Sequence, residues 1–344
     1  MKAAVLESLE NLVVQEVPTP VAGPDDALVR VHACAVCGSD IRIFHHGNNR
    51  VHPPAILGHE SAGEIVAVGA NVTAFRVGDR VALGSDVPCG ECDFCRAGYG
   101  NNCQINYAMG YQFPGSFAEY VLLNRTVLNF GPVHRLPDQM SYDEGALAEP
   151  LACVLNAVEL VDIKLGDTVV VMGAGPIGCM IIPVVLMRGA TKVIAINRSP
   201  GRLGFAKQVG ADVTVCSSEE EQVARVLEET GGLGADVIFT ANPTPSSHAD
   251  ALQMARNRGR VNFFGGLPAG SKVELETNII HYKELIVSGA HGSVPRHHRL
   301  AVELIASGKL DMKPFISHRF PLDEVNEAFR VAESKEGLRV IVKP

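Results

Sequence analysis

Val169-Val-Val-Met172-Gly173-Ala174-Gly175-Pro176-Ile177-Gly178 is an apolar run that breaks into glycines and opens a helical stretch reaching Arg188. A run apolar on both faces reads as a buried parallel strand, and G-x-G-x-x-G at the start of the next helix is a dinucleotide fingerprint. In that reading Gly173 makes the tight turn, Gly175 lets backbone approach a pyrophosphate, and Gly178 permits close packing of helix on strand. Pro176 and Ile177 lie at the helix N-terminus, where free N–H groups and the dipole favour an anion. The pattern alone also fits an ordinary glycine-rich turn, so its weight comes from its surroundings.

Toward the C-terminus the alternation continues. Lys192–Ile196, Val213–Val215, Asp236–Phe239, Arg260–Phe264 and Leu285–Val287 read as strands, and 177–188, 202–209, 219–229 and 246–257 as the helices between them. Strands alternating with helices specify an α/β fold, a doubly wound parallel Rossmann sheet over residues 149–288. About 20 residues past the glycines, an acid would bind the adenosine ribose 2′-hydroxyl and repel a 2′-phosphate. Asn197 stands there instead, followed by Arg198 and, a turn later, Arg202. A neutral amide beside guanidinium groups that hold phosphate bidentately favours NADP over NAD. The competing reading turns Arg198 into solvent and gives Asn197 the hydroxyl.

Upstream the period changes. Ala27–Val31, Gly63–Gly69, Asp79–Ala82 and Phe117–Leu122 are short alternating runs between glycines and prolines, which suggests a small β-barrel within residues 1–148. Residues 289–344 offer a helix near 296–307, a strand at 315–320, a helix at 322–333 and a strand at 338–342. That is too little for a domain, so the segment is expected to return to the first one. A length of 344 residues makes two domains the default. No apolar stretch has the length of a membrane span, and Glu7 and Glu10 stand where an export signal needs an apolar run, so a cytoplasmic protein without a membrane partner is expected. A net charge of -8 disfavours nucleic acid as a partner.

Cys89, Cys92, Cys95 and Cys103 read C-x2-C-x2-C-x7-C. Thiolates so close can converge on one tetrahedral Zn2+ at about 2.3 Å each, a closed structural site; a disulfide pair or four unrelated thiols is the competing reading. A working zinc needs three protein ligands and one exchangeable position. Cys37 in Cys37-Gly-Ser39-Asp40, and His59 with Glu60 after Leu57-Gly58, are the candidates, although each alone reads as core packing. Glu149, before Pro150 at the expected domain junction, is a further acid for ligating zinc or holding its water.

These segments, with Val77-Gly-Asp-Arg-Val81 and Gly115-Ser-Phe-Ala-Glu-Tyr-Val121, run in an order that resembles the medium-chain zinc-dependent alcohol dehydrogenases, polyol (sorbitol) branch, over essentially the whole chain. The resemblance implies a GroES-like catalytic domain made from residues 1–148 with 289–344, a Rossmann domain between them, two Zn2+ per subunit, and a homodimer or homotetramer. It implies that Cys37, His59, Glu60 and Glu149 surround the catalytic zinc. Ser39 would then relay the substrate proton, and Asp40 would orient ligands from behind. The activity implied is interconversion of a secondary alcohol of a polyol, sugar alcohol or cyclitol with its ketone, by hydride transfer with NAD(P).

The chain departs from the family's pattern in three places. Relatives carry a histidine five residues beyond the catalytic cysteine to finish the relay, where this chain has Arg42; His45, followed by His46, is the candidate catalytic residue to finish it instead. Near the fourth Rossmann strand the chain reads Phe239-Thr-Ala-Asn242-Pro243, without the glutamate and glycine of relatives. Between Cys37 and His59 it carries Arg42, His45, His46, Arg50 and His52, read here as a solvated loop face. The alternative is that these bases recognise an anionic substrate, a polyol phosphate or a threonine-like amino alcohol. Gly289–Ser293 and Arg296 are expected beside substrate and cofactor. Two readings of other classes stand further off: a non-enzymatic zinc module, opposed by the acidic balance and the intact fingerprint, and a zinc-free reductase, which needs Cys37, His59 and Glu60 empty of metal.

Overall fold

The computed structural model describes residues 1–344 and divides them into two compact units, Met1–Ala152 with Gly292–Pro344, and Cys153–His291. In the second unit six parallel strands lie in the order Val213–Cys216, Lys192–Asn197, Thr168–Met172, Ala235–Thr240, Ala255–Phe263, Ile286–Gly289. Numbered along the chain this is 3-2-1-4-5-6, the doubly wound order, with its switch point beside Thr168–Met172. The central strands are mostly apolar on both faces and, apart from Thr168, buried, as a sheet covered by helices on both sides requires. The fifth strand is longer than expected, because the helix Pro245–Met254 stops at Ala255, whose backbone is already extended. Arg256, Asn257 and Arg258 are exposed there, so no apolar signal marked the start.

The first unit is built on a sheet in the order Val133–Arg135, Arg80–Leu83, Glu60–Val68, Ala27–Ala35, Arg339–Lys343, Ile316–Pro321, with Tyr120–Leu123 also pairing Ala27–Ala35. The last 53 residues therefore supply two strands to a sheet begun near residue 27. A second, three-stranded sheet joins Asn11–Glu16, Lys2–Ser8 and Ala55–Ile56. Phe117, Leu57, Ile65 and Leu123 fill the core between them at 0% exposure.

The register of the large sheet brings chemistry to one place. Ala35 pairs with Glu60 and also with Ile341, so the residues just past Ala35, those at Glu60, and those just before Ile341 share one end of the sheet. Gly58 makes the approach possible: its φ is +94°, and a Cβ there would stand 2.7 Å from the Cys34 sulfur. After Cys37 the chain turns into a helix, Gly38–His46, where the sequence suggested a loop. The Asp40 carboxylate accepts the Cys37 backbone N–H at 3.0 Å, capping the first turn, and Gly47 at φ +70° ends the helix.

Candidate metal and dinucleotide sites

Cys37, His59 and Glu60 offer one sulfur, one nitrogen and one oxygen that all lie within 4.8 Å of one another. His59 and Glu60 are buried, 4% and 1% exposed, with Asp40 at 0% behind them, and Cys37 is half-buried. His59 is held from both sides, its Nδ1 at 3.3 Å from Asp40 Oδ1 and its Nε2 at 3.3 Å from Ser39 Oγ. Burial pushes the Cys37 thiol up, but the hydrogen bond and charge of His59 outweigh it and bring it to about 7. Burial works against the His59 imidazolium, and Asp40 with Cys37 outweighs that and raises it well above its usual value. A near-thiolate, an imidazole oriented through its far nitrogen by a carboxylate, and a carboxylate form a donor set that fits catalytic zinc with a position to spare.

The four cysteines of the lobe also converge within 4.8 Å, and all are free thiols. Cys92 Sγ is 3.4 Å from Cys95 Sγ, and Cys89 Sγ is 3.8 Å from it. A tetrahedron with Zn–S bonds of about 2.3 Å has edges of about 3.8 Å, so the sulfurs are spaced for one ion. Backbone N–H groups of Glu91 and Cys92 point at Cys89 Sγ, and that of Cys89 at Cys103 Sγ, the partners a thiolate needs. The disulfide reading is not what the geometry holds.

At the fingerprint, Gly173 has φ +106° and donates its N–H to the Ile196 carbonyl at 2.7 Å. The helix Pro176–Met187 is capped by Gly175, and a side chain at Gly178 would collide with the Gly173 carbonyl. Asn197 Oδ1 accepts the Ala174 N–H at 3.2 Å and its Nδ2 donates to the Ser199 carbonyl at 2.8 Å, so the amide braces the glycine loop. Arg198 is exposed; Arg202 is half-buried, its Nη1 beside Gly175. Asn242, without a role in the sequence reading, donates from Nδ2 to the Met172 carbonyl at 3.2 Å and accepts the Thr244 N–H at 3.0 Å, tying off the strand before the fingerprint.

Two families match by sequence: the alcohol dehydrogenase GroES-like domain over residues 23–134, and zinc-binding dehydrogenase over residues 176–307. D-arabitol-phosphate dehydrogenase of Enterococcus avium is 34% identical over 332 residues, 95% of this chain and 92% of that one. The chain belongs to the medium-chain zinc alcohol dehydrogenase family. Within it the similarity is to the polyol branch: sorbitol dehydrogenase of Bacillus subtilis (strain 168) is 32% identical, covering 100% of this chain and 97% of that one. The NADP-bound crystal structure of a protein of Sinorhizobium meliloti 1021, described as a zinc-binding dehydrogenase, superimposes with a TM-score of 0.93 at 35% identity over 100% of this chain and 99% of that one. The chain is thus an oxidoreductase with a GroES-like unit and a Rossmann unit.

Other zinc dehydrogenase residues fall where sequence did not put them. Both ring nitrogens of His45 are taken by carboxylates, Glu10 at 2.8 Å and Glu333 at 3.1 Å, and the structure does not bring it to Ser39. Tyr111 stands there instead, hydrogen-bonded to Ser39, its ring 5.9 Å from that of His59. Glu149 is 5% exposed in the first turn of the helix Ala148–Val161. Arg339, 4% exposed, forms an ion pair with Glu60 across the end of the intervening strand Ala27–Ala35. A charge opening the otherwise apolar Arg339–Lys343 strand was the one sequence sign of it; nothing marked Tyr111. Gly292 and Ser293 are fixed by Asp86, which accepts the Ser293 N–H at 2.9 Å.

Proposed function

We propose that the protein is a zinc-dependent dehydrogenase that interconverts a secondary alcohol of a polyol or sugar alcohol with its ketone, using NAD(P). The observation that carries this is the convergence of Cys37 with the buried His59 and Glu60 in a chain with an intact dinucleotide loop. Those three residues would hold a catalytic zinc, with Glu149 as the nearby acid, and Cys89, Cys92, Cys95 and Cys103 would hold a second, structural one. At the first site zinc would supply Lewis acidity toward the carbinol or carbonyl oxygen. Asp40 keeps the His59 ring oriented, and Arg339 keeps the Glu60 carboxylate in place. Ser39, hydrogen-bonded to His59 and Tyr111, is the group proposed to take the hydroxyl proton while the C–H hydride passes to the nicotinamide.

NADP is the proposed cofactor. Arg198 and Arg202 flank the loop where a 2′-phosphate would lie, and no carboxylate replaces Asn197. A cytoplasmic homo-oligomer is part of the same reading, supported by the uncovered sheet edge at Ile286–Gly289, where Ile286 is 63% exposed. A panel of polyols and sugar alcohols run with NAD and with NADP, followed at the reduced-nicotinamide absorbance, tests the activity. Absence of turnover with every polyol and both cofactors would overturn it, as would a Cys37→Ser variant that kept full turnover and its full zinc content.

A further inference from the structure

The five basic residues between Cys37 and His59 do not share one environment. Arg42, His46 and His52 are exposed, and His45 is neutralised by Glu10 and Glu333. Arg50 alone turns inward. Its guanidinium lies over the Tyr111 ring, 4.9 Å from the centroid, and Nη2 donates to the Asn106 carbonyl and, at 3.3 Å, to Gln112 Oε1. Both acceptors are neutral, and Nε is buried without a hydrogen-bond partner. A half-buried guanidinium held in one orientation by an aromatic face and by neutral oxygens has no carboxylate set against it here, which leaves its charge for an anion such as a phosphate.

Tyr111 connects this charge to the reacting centre. The residue meets Ser39 and His59 and also carries Arg50 over its ring. Arg50, His52, Tyr111, Gln112, Phe113 and Pro54 line a groove of about 570 Å³. The one acid lining it, Glu7, is engaged by Gln15 at 2.6 Å. From these observations we infer that Arg50 is a specificity residue that binds the phosphate monoester of an acyclic polyol phosphate, at the end remote from the carbon being oxidised. The inference rests on Cys37, His59 and Glu60 marking that carbon's position. A carboxylate next to the reacting carbinol, as in a β-hydroxy amino acid, would be too near the metal ligands to reach past Tyr111 to Arg50.

The test compares acyclic pentitols and hexitols with their terminal phosphate esters, using the zinc-loaded protein, an Arg50→Met variant and an Arg50→Lys variant. The unaltered protein should favour the phosphate esters in kcat/KM. Arg50→Met should lower kcat/KM for the esters by about 10- to 100-fold, chiefly through KM, as loss of one or two charge-assisted hydrogen bonds would. Turnover of the free polyols should stay as it was. Arg50→Lys, which keeps the charge and loses the fork, should fall between on the esters alone. Equal rates on esters and free polyols in the unaltered protein would overturn the inference. So would an Arg50→Met loss shared equally by both substrate classes, which would make Arg50 a brace for Tyr111. Turnover of free polyols without preference would sink the role of Arg50 and leave the dehydrogenase reading standing; turnover of neither class would sink that reading itself.

Discussion

The two candidate metal clusters contain related donors brought together by opposite means. In the cysteine lobe, four sulfurs come from 15 consecutive positions, Cys89 to Cys103, and the loop's own backbone N–H groups serve them. The other cluster takes Cys37 from the end of one strand and His59 with Glu60 from the start of its antiparallel neighbour. Its supports, Asp40 and Arg339, come from a helix and from a strand that returns some 280 residues later. A local cluster with zinc bound would be held chiefly by that metal, as short metal-folded segments are. An assembled cluster holds its shape through the sheet, which leaves its chemistry free to be tuned. The two should therefore fail differently.

The largest expected effect is on turnover. Replacing Cys37 by Ser removes the softest ligand of the assembled site, and kcat is expected to fall by on the order of 10³-fold or more. Zinc content should drop from about two to about one per subunit while the melting temperature barely moves. Collapse of the fold on this substitution would show that the sheet does not carry the site. Replacing Cys92 by Ser should reverse the pattern. A structural zinc of this type is worth on the order of 10 kcal/mol to the peptide segment it folds. Only part of that is global, so a fall of the melting temperature on the order of 10 °C is expected, with early proteolysis within residues 89–103. Each surviving zinc-loaded active site should keep its turnover. Loss of turnover in step with loss of the lobe's zinc would break the distinction.

The same difference explains what the amino-acid sequence disclosed. Spacing marks a local cluster, so the four cysteines and Gly173 to Gly178 could be read directly. The assembled cluster was legible only through the family's order of motifs, since nothing local links Cys37 to His59. Tyr111 and the ion pair of Arg339 with Glu60 escaped because they depend on register, which a one-residue slip would undo. His45 looked available for proton relay on residue type alone. Its two carboxylate partners lie 35 and 288 positions away, beyond any local pattern. The helix Gly38–His46 passed for a loop because its cap, Cys37 with Asp40, is a metal-shell motif as well.

A third assembled pair sharpens the point without metal. His134 and His298, 164 positions apart, meet through a hydrogen bond between their Nδ1 atoms at 2.9 Å. Such a bond requires one ring to donate and the other to accept, so the accepting ring is neutral; burial, which disfavours the charged form of both, keeps the other neutral near pH 7 as well. Burial lowers His298 to about 3, with the charge of His134 second, and burial lowers His134 to about 4, with Arg299 adding to it. Arg135 and Glu303 are the other charged groups lining the surface beside them. In the unfolded chain both histidines would titrate near 6.5. Above that pH neither state is protonated and the pair is neutral to stability. Below it the unfolded chain binds protons that the folded one refuses, so stability falls toward pH 4 by up to about 1.4 kcal/mol per pH unit for each ring. Denaturant titrations between pH 7 and 4.5 should show this slope, and His298→Gln should flatten it whatever its effect at pH 7. An unchanged slope would mean that the pair is not the acid-sensitive element.

The smallest effect separates two arginines at the dinucleotide loop. Arg202 is half-buried beside Gly175, where it would meet the pyrophosphate common to both nicotinamide dinucleotides. Arg198 is exposed past the end of the second strand, where only a 2′-phosphate would give it a partner. One charge-assisted contact is worth about 1.5 kcal/mol, so Arg198→Ala should raise KM for NADP roughly 10-fold and leave KM for NAD as it was. Arg202→Ala should weaken both cofactors together. Asn197→Asp should act against NADP as well, but at a further cost to the loop, because the Ala174 N–H and the Ser199 carbonyl divide the two ends of that amide and only the first can bond a carboxylate. If Arg198→Ala weakened NAD and NADP equally, the discrimination would lie in the loop as a whole, and the local cluster would prove as cooperative as the assembled one.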